Sequence, residues 1–205
     1  MTIKLYTWPR SSGMKVVWAL EELGLSYERI EPDRAKGENR APAYLAVHPS
    51  GRVPALVDGD TRLFESAVIL AWLGDRYGVD KGLWPKGERE RAEALSWTVW
   101  TVGDLSAYMM QFVYHGLDSP VSYKADQRSK AAADYSRSQF DRSLDALEQR
   151  LDGREFLFGT FSLVDVAAAS ILDVGKMLGV DFGDRKAVLA WHERCAARPA
   201  HARMA

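Results

Sequence analysis

Short β-prone runs and longer runs with helical periodicity alternate along the first third of the chain. The pattern predicts strands at Ile3–Tyr6 and Tyr27–Ile30. Residues 11–23 between them have the pattern of a helix, and Gly24 follows as a residue that readily takes the left-handed conformation closing a helix. This order predicts a right-handed crossover between two parallel strands.

A hairpin pattern follows the turn residues 48–51. Two β-prone runs, residues 55–57 and 62–64, lie on either side of Asp58-Gly59, a dipeptide that favours a tight turn. A helix is predicted to begin at Glu65-Ser66, directly after the second run. The hairpin should add antiparallel strands to the first sheet, so the amino-terminal part is predicted to be an α/β domain.

The pattern becomes helical after residues 78–87, a stretch rich in glycine that is typical of an interdomain linker. Long helical segments are predicted at residues 88–115, with Gly103 as a kink or close-packing point, at residues 125–151, and at residues 185–197. We therefore predict two domains, an α/β domain over residues 1–80 and an all-α domain over residues 88–205.

One helix start in the second domain has its own signature. Ser162 followed by Asp165 before an apolar run predicts a capping box, with a structural role worth about 1 kcal/mol. The chain beyond Arg198-Pro199 is expected to fray, because proline discourages continuation of the last helix.

Composition narrows the classes of function. The chain has 205 residues and a net charge of -1, with signs interspersed, so nucleic acid and anionic membranes are not expected partners. Cys195 is its single cysteine, which excludes an internal disulfide and favours a reducing cytoplasm. We see no signal peptide, no membrane-spanning run, no metal-ligand spacing and no dinucleotide or P-loop motif.

Three stretches in order resemble the cytosolic glutathione transferases: LYTWPRSSGMKVVWALEELGLSYE, HPSGRVPALVDGDTRLFESAVILAWL and FGTFSLVDVAAASIL. The chain resembles bacterial, serine-type members, near the theta and zeta classes. The resemblance implies a thioredoxin-like N-terminal domain that binds glutathione, an all-helical C-terminal domain lining a pocket for a small hydrophobic electrophile, and a cytoplasmic homodimer. It also implies a cis peptide bond at Val53-Pro54.

The chemistry of such an enzyme requires a hydroxyl near the glutathione sulfur. Only the thiolate attacks electrophiles, and lowering a thiol pKa by ~2 units takes roughly 2.7 kcal/mol. One charge-assisted hydrogen bond, at about 1.5 to 3 kcal/mol, and a helix N-terminus, at about 0.3 to 1 kcal/mol, are of the right size. The resemblance favours Ser11 as this hydroxyl, through its spacing from Pro9, then Ser12, and implies Tyr6 as a third candidate because some family members use a tyrosine there.

The tripeptide has two carboxylates and one amine, so its site should offer a strand edge and both charges. The backbone of Val53, before Pro54, is suited to pair with the cysteinyl part, and Glu65 to bind the γ-glutamyl amine. Ser66 at a helix N-terminus suits the adjacent carboxylate, and Arg52 the glycine carboxylate. Asp104 is a candidate for reaching the amine of glutathione in the other subunit.

The second-substrate pocket and the reaction remain open at this level. Candidates for its lining are Trp8, Tyr108, Met109, Phe112 and His115, for each of which packing in the core is the simpler explanation. Two alternatives to conjugation are a glutathione-dependent cis-trans isomerase and a noncatalytic binding protein with the same fold. Gly13 stands where the zeta-class isomerases have a cysteine, which argues against the first.

Overall fold

The computed structural model describes residues 2–204, which form two compact units. Residues 2–95 and 198–204 belong to the first unit, and residues 96–197 to the second. The boundary at 95/96 falls inside one helix, Glu88–Trp100, which is why no change of composition marks it. The division into domains at residues 1–80 and 88–205 stays a prediction.

The first unit contains a four-stranded sheet in the order β2-β1-β3-β4. Its strands are β1 (Ile3–Tyr6), β2 (Tyr27–Ile30), β3 (Ala55–Asp58) and β4 (Thr61–Phe64). β1 and β2 are parallel, whereas β3 is antiparallel to β1 and to β4. The predicted strand pairing is therefore confirmed, but the two-residue hairpin loop is Gly59-Asp60, one residue later than the predicted Asp58-Gly59 turn, and Gly59 has a φ of 61°.

Helices accompany this sheet, and their apolar faces bury its centre. They are α1 (Met14–Glu22), α2 (Pro42–Leu45), α3 (Ser66–Leu73) and the beginning of α4 (Glu88–Trp100), with a 3-10 turn at Glu38–Arg40 and a π-helical turn at Gly74–Gly78. Leu5 and Leu56 of the sheet and Leu20, Ile69 and Leu70 of α1 and α3 are fully buried. Burying each such side chain contributes about 1.5 to 3 kcal/mol.

The first helix begins three residues later than the sequence pattern predicts. Arg10 has a φ of 58°, and the backbone from Ser11 to Gly13 forms turns before regular helical bonding begins at Met14. The Met14 N–H donates to the Ser11 carbonyl, three residues back, so the two serines form a turn that precedes α1 and are not its first helical turn. Its end is as predicted, with Gly24 at a φ of 61°.

The second unit is helical, as predicted. It contains the end of α4, α5 (Ala107–Gly116), α6 (Lys130–Leu151), α7 (Leu163–Met177) and α8 (Lys186–Ala196). The predicted kink at Gly103 is a π-helical segment, Thr101–Ser106, between α4 and α5. The predicted buried face of α6 is confirmed, and its residues are Phe140, Leu144, Leu147 and Leu151. A helical unit and an α/β unit together confirm the predicted fold class.

The sequence suggested that the tail frays, but in the structure the tail is folded. Residues His201–Met204 form a 3-10 turn within the first unit. Arg198 donates two hydrogen bonds of 2.7 Å to the Glu22 carboxylate, and the His201 ring lies edge-on to Trp18 with ring centroids 4.7 Å apart. Arg203 adds an ion pair to Glu21 at 2.9 Å. Contacts between residues so distant in sequence leave no local pattern.

Candidate functional site

Three loops meet at one end of the sheet because of the strand register. Tyr6, the last residue of β1, pairs with Ala55, the first of β3, and Ala55 pairs with Phe64, the last of β4. The loop after β1, the Val53-Pro54 step before β3 and the segment after β4 therefore emerge side by side. Most of the predicted binding and catalytic residues lie in these three segments.

Ser11 is engaged within its own loop. Its Oγ donates to the Trp8 carbonyl at 2.7 Å and accepts from the Gly13 N–H at 3.1 Å. It also lies 3.2 Å from Thr7 Oγ1. With its proton held by a carbonyl, this hydroxyl fixes the shape of the loop after β1.

Ser12 differs from Ser11 in its exposure and in the strength of its hydrogen bond. It is exposed, and its Oγ is 3.4 Å from the carbonyl oxygen of Val53, a weak hydrogen bond across to the next loop. The hydroxyl therefore lies between the start of α1 and the Val53-Pro54 step. A ligand sulfur at this place would be within reach of a donor whose present acceptor is easily exchanged.

Gly13 is needed for this arrangement, which the sequence alone did not reveal. A Cβ at this position would overlap the Thr7 side chain and approach Ser11 Oγ to 3.3 Å. Thr7 is fully buried and cannot withdraw. The glycine thus allows the loop after β1 to close against the strand.

Tyr6, the third candidate, packs as an aromatic residue at the end of β1. Its ring lies 5.2 Å from that of Tyr44, in a tilted arrangement typical of aromatic pairs. Tyr6 is half-buried.

The segment before β3 contains the Val53-Pro54 peptide, which is cis as the resemblance implied. Side chains from residues 39–44 donate hydrogen bonds to the backbone just before this peptide. The Tyr44 hydroxyl donates to the Arg52 carbonyl at 2.5 Å, and Asn39 Nδ2 donates to the Gly51 carbonyl at 2.9 Å. The Arg52 side chain is exposed. These supporting residues were missed, because the 38–45 region has only a weak helical pattern.

His48 adds a titratable support to the same segment. Its ring is buried against Phe64, 5.0 Å between centroids, and its Nδ1 accepts from the Ser50 N–H at 3.3 Å. Burial lowers the pKa of His48, while the Glu65 carboxylate acts in the opposite direction. The neutral ring is the form that accepts this hydrogen bond.

Glu65 and Ser66 begin α3, as predicted. Glu65 is exposed and has a φ of 68° and a ψ of 120°, a conformation that non-glycine residues rarely adopt. Such backbone is often found where a side chain is held for a ligand. Ser66 is the buried first residue of the helix, where unpaired N–H groups attract anions.

The remaining candidates lie in the second unit, with the exception of Trp8. Asp104 lies in the π-helical segment Thr101–Ser106. Met109 is fully buried core, and Tyr108 packs against Tyr135, with ring centroids 6.3 Å apart. The Phe112 ring lies 5.4 Å from the Arg137 guanidinium, and His115 Nδ1 accepts from the Ser129 N–H.

Trp8 lies in the loop after β1 and is fixed from two sides. Its Nε1 donates to the Pro32 carbonyl at 2.8 Å, and the Arg34 guanidinium lies 3.5 Å from the ring centroid. These two contacts fix the position of the indole ring, which is four residues before Ser12 in the sequence.

Between residues 2 and 204, no group of three or more His, Cys, Asp or Glu side chains is arranged to hold a metal ion. Over the same residues, no helix combines the length and the apolar character that crossing a bilayer requires.

The fold is a thioredoxin-like domain joined to a helical domain, with most of the candidate site residues at one end of the sheet. Residues 1–75 match the model of the glutathione S-transferase N-terminal domain, and residues 104–199 that of the C-terminal domain. The chain belongs to the glutathione S-transferase family.

Individual relatives differ in their described activities. The chain is 31% identical to disulfide-bond oxidoreductase YfcG of Escherichia coli, covering 97% of this chain and 92% of the relative. It is 30% identical to glutathione S-transferase F10 of Arabidopsis thaliana, covering 98% and 94%. A theta-class glutathione S-transferase of Xanthomonas axonopodis pv. citri, solved with glutathione bound, has a TM-score of 0.84 at 28% identity, covering 98% and 96%.

Proposed function

We propose that the protein conjugates the thiolate of glutathione to a small hydrophobic electrophile. In this reaction the sulfur forms a bond to carbon, and the leaving group departs with the bonding electron pair. The observation that carries the proposal is the exposed Ser12 hydroxyl beside the Val53 carbonyl, in the turn that precedes α1. Membership of the glutathione S-transferase family supports the co-substrate.

Glutathione would lie along the three loops in an extended conformation. The backbone of Val53 would pair with its cysteinyl part, Glu65 would bind the γ-glutamyl amine, and Ser66 with the N-terminus of α3 the adjacent carboxylate. Arg52 would bind the glycine carboxylate. Asp104 stays a candidate for the amine of glutathione bound in a partner subunit.

The thiol-activating group is proposed to be Ser12, in preference to Ser11 and Tyr6. The Ser11 proton already has a strong acceptor in the Trp8 carbonyl, whereas the Ser12 bond of 3.4 Å is weak enough to be replaced by a bond to sulfur. A hydrogen bond to a thiolate is charge-assisted, at about 1.5 to 3 kcal/mol, and therefore outcompetes a long neutral one.

The cis-trans isomerase is the weaker alternative. The resemblance of this chain to the zeta-class isomerases rests on the Arg10-Ser11-Ser12 turn. The next residue is Gly13, and a side chain at that position would overlap Thr7. A cysteine at position 13 is therefore incompatible with this loop conformation, and we do not favour zeta-like chemistry.

Reduction of disulfides is a second candidate, favoured by the similarity to the E. coli oxidoreductase. A bound glutathione thiolate would attack a disulfide RSSR, releasing RS⁻ and leaving the mixed disulfide GSSR. A second glutathione thiolate would then release the other RS⁻ and form GSSG. Cys195 is fully buried, so both reducing sulfurs would come from glutathione.

We further propose that the protein is a cytoplasmic homodimer. The single cysteine suits a reducing compartment. Exposed apolar side chains on α3 and α4, Val68, Leu95 and Val99, are candidates for the subunit contact. Analytical ultracentrifugation across a dilution series tests the dimer, which is excluded if the mass stays that of one chain.

The test of function is an ultraviolet titration of glutathione with three proteins: wild type, Ser12→Ala and Ser11→Ala. We expect thiolate absorbance in the wild type and in Ser11→Ala, and its loss in Ser12→Ala. Turnover of a chlorinated nitroarene and of a dialkyl disulfide then separates conjugation from disulfide reduction. Equal absorbance in all three would contradict the role of Ser12, and no glutathione binding by the wild type would favour a noncatalytic protein.

A further inference from the structure

The residues before cis-Pro54 are held by a cluster of side chains that do not themselves belong to the proposed glutathione site. Asn39, Arg40 and Tyr44 each donate a hydrogen bond to a carbonyl of residues 50–52. Gly51, at a φ of 60°, leaves no room for a Cβ, which would overlap the Asn39 carbonyl. The loop therefore has one defined backbone path.

The Tyr44 contact is the strongest of these by geometry. Tyr44 is 7% exposed, and its hydroxyl lies 2.5 Å from the Arg52 carbonyl oxygen, at the short end of the range for O–H···O bonds. The ring is fixed by Tyr6 on β1. Burial, with the neighbouring Tyr6, raises the pKa of Tyr44 to about 12, so the hydroxyl keeps its proton and remains a donor.

A planar peptide transmits this contact to the other side of the loop. The Arg52 carbonyl and the Val53 N–H belong to one trans peptide unit, since the only cis bond in the described residues is Val53-Pro54. In a trans unit the C=O and N–H bonds point in opposite directions. Holding the carbonyl toward Tyr44 therefore turns the Val53 N–H away from it, toward the side on which a ligand would pair.

The Val53 N–H is free to take that role. Within residues 2–204 it has no hydrogen-bond acceptor, and Val53 is half-buried, so a ligand can reach it. A carbonyl that accepts a strong hydrogen bond also polarises its peptide, which makes the N–H a better donor.

We propose that Tyr44 is a positioning residue for glutathione, which orients and polarises the Val53 N–H for the cysteinyl carbonyl of the tripeptide. This inference rests on the proposed glutathione site, yet it concerns affinity for the peptide backbone and not the activation of sulfur. Its effect should thus be the same for a ligand that has no ionisable thiol.

The test compares Tyr44→Phe with Tyr27→Phe. Tyr27 is a matched control, because its hydroxyl also donates one hydrogen bond, to Glu21 at 3.1 Å. It lies far from the proposed site, since the Tyr27 backbone pairs with Ile3 at the other end of β1. By calorimetry we expect Tyr44→Phe to bind glutathione and S-methylglutathione about tenfold more weakly, which corresponds to about 1.4 kcal/mol. Tyr27→Phe should bind both as the wild type does.

Kinetics and spectroscopy give readouts that a general loss of stability would not mimic. For Tyr44→Phe we expect the KM for glutathione to rise while kcat and the thiolate absorbance at saturation stay unchanged. In the wild type, the amide proton resonance of Val53 should move when glutathione or S-methylglutathione binds.

The failures of the two proposals are distinguishable. If the wild type binds neither ligand, the proposed function is wrong. If the wild type binds both and Tyr44→Phe binds them equally well, or if the Val53 resonance does not move on binding, the role of Tyr44 is wrong while the function stands. A fall in kcat with unchanged KM would also overturn it.

Discussion

Asp165 makes more bonds than a helix cap requires. Both halves of the capping box with Ser162 are present, which confirms the sequence prediction. The carboxylate also accepts from the Leu157 N–H at 2.9 Å and from Trp191 Nε1 at 2.8 Å, and the side chain is fully buried. Burial raises the pKa of Asp165, and these hydrogen bonds oppose that shift.

We therefore expect Asp165→Ala to cost about 3 kcal/mol or more in the free energy of unfolding, well above the 1 kcal/mol or so of a cap alone. The reason is that several buried donors lose their acceptor together. Urea denaturation measures the loss, with Ser129→Ala, which removes the simple cap of α6 at 3.2 Å, as a control expected to cost about 1 kcal/mol. Equal losses in the two variants would contradict this account.

Residue-level prediction succeeded where the signal was local. The spacing from Ser162 to Asp165 is enough to predict a cap, because both partners lie within one turn. The choice between Ser11 and Ser12 could not be made in this way. It depends on which hydroxyl faces the Trp8 carbonyl and which faces Val53, a residue 41 positions later in the chain.

At the scale of elements, the turn that precedes β3 depends on a neutral histidine. The Ser50 N–H needs an unprotonated Nδ1 on His48, and Glu65 and Arg52 are the charged groups whose fields act on the ring. Because the pKa of His48 is lowered on folding, the unfolded chain binds the proton more readily. The resulting contribution to stability is complete above pH 6.5 and is lost as the pH falls from there toward the folded pKa.

We expect the urea midpoint of the wild type to fall between about pH 7 and about pH 5.5, with a smaller fall in His48→Asn. The asparagine Oδ1 can take the place of Nδ1 as acceptor but does not titrate in this range. The loss of the ring against Phe64 lowers the midpoint at every pH, so the comparison is of slopes. Parallel pH profiles for the two proteins would show that His48 is not responsible.

The order and type of the strands were predictable because each strand has a β-prone pattern in its own residues. The hairpin was predictable from Asp58-Gly59 between two β-prone runs. Its register was not predictable to the residue, because Asp58 pairs with Thr61 and the loop is Gly59-Asp60. The start of α1 was not predictable to the residue, since it depends on the turn from Ser11 to Met14 and on the close approach of Gly13 to Thr7. The interruption of the long helical segment was predicted at Gly103, but not its π-helical form.

At the scale of the molecule, the tail completes the first unit. Glu22 is held by Arg198 and by Trp18 Nε1 at 3.0 Å, and its side chain is 6% exposed. A carboxylate so buried is costly if its cation is removed. The tail is therefore part of the folded unit and not an appendage.

We expect Arg198→Ala to lower the free energy of unfolding by about 2 kcal/mol, less than for a fully buried pair because the arginine is partly exposed. Arg203→Ala, which removes the outer ion pair with Glu21, should cost less than about 0.5 kcal/mol. Chemical denaturation of both variants measures the difference. If the Arg203 variant is the less stable one, the assigned role of Arg198 is wrong.

The return of the tail has a mechanical consequence. The polypeptide leaves the first unit after Leu95 and re-enters it at Arg198, so the second unit is topologically an insertion, and both ends of the described residues 2–204 lie in the first unit. A force applied to the two ends, as in an optical trap, would load the sheet unit first. The inserted helices would bear no tension until that unit had opened, and we expect two rupture events in a fixed order.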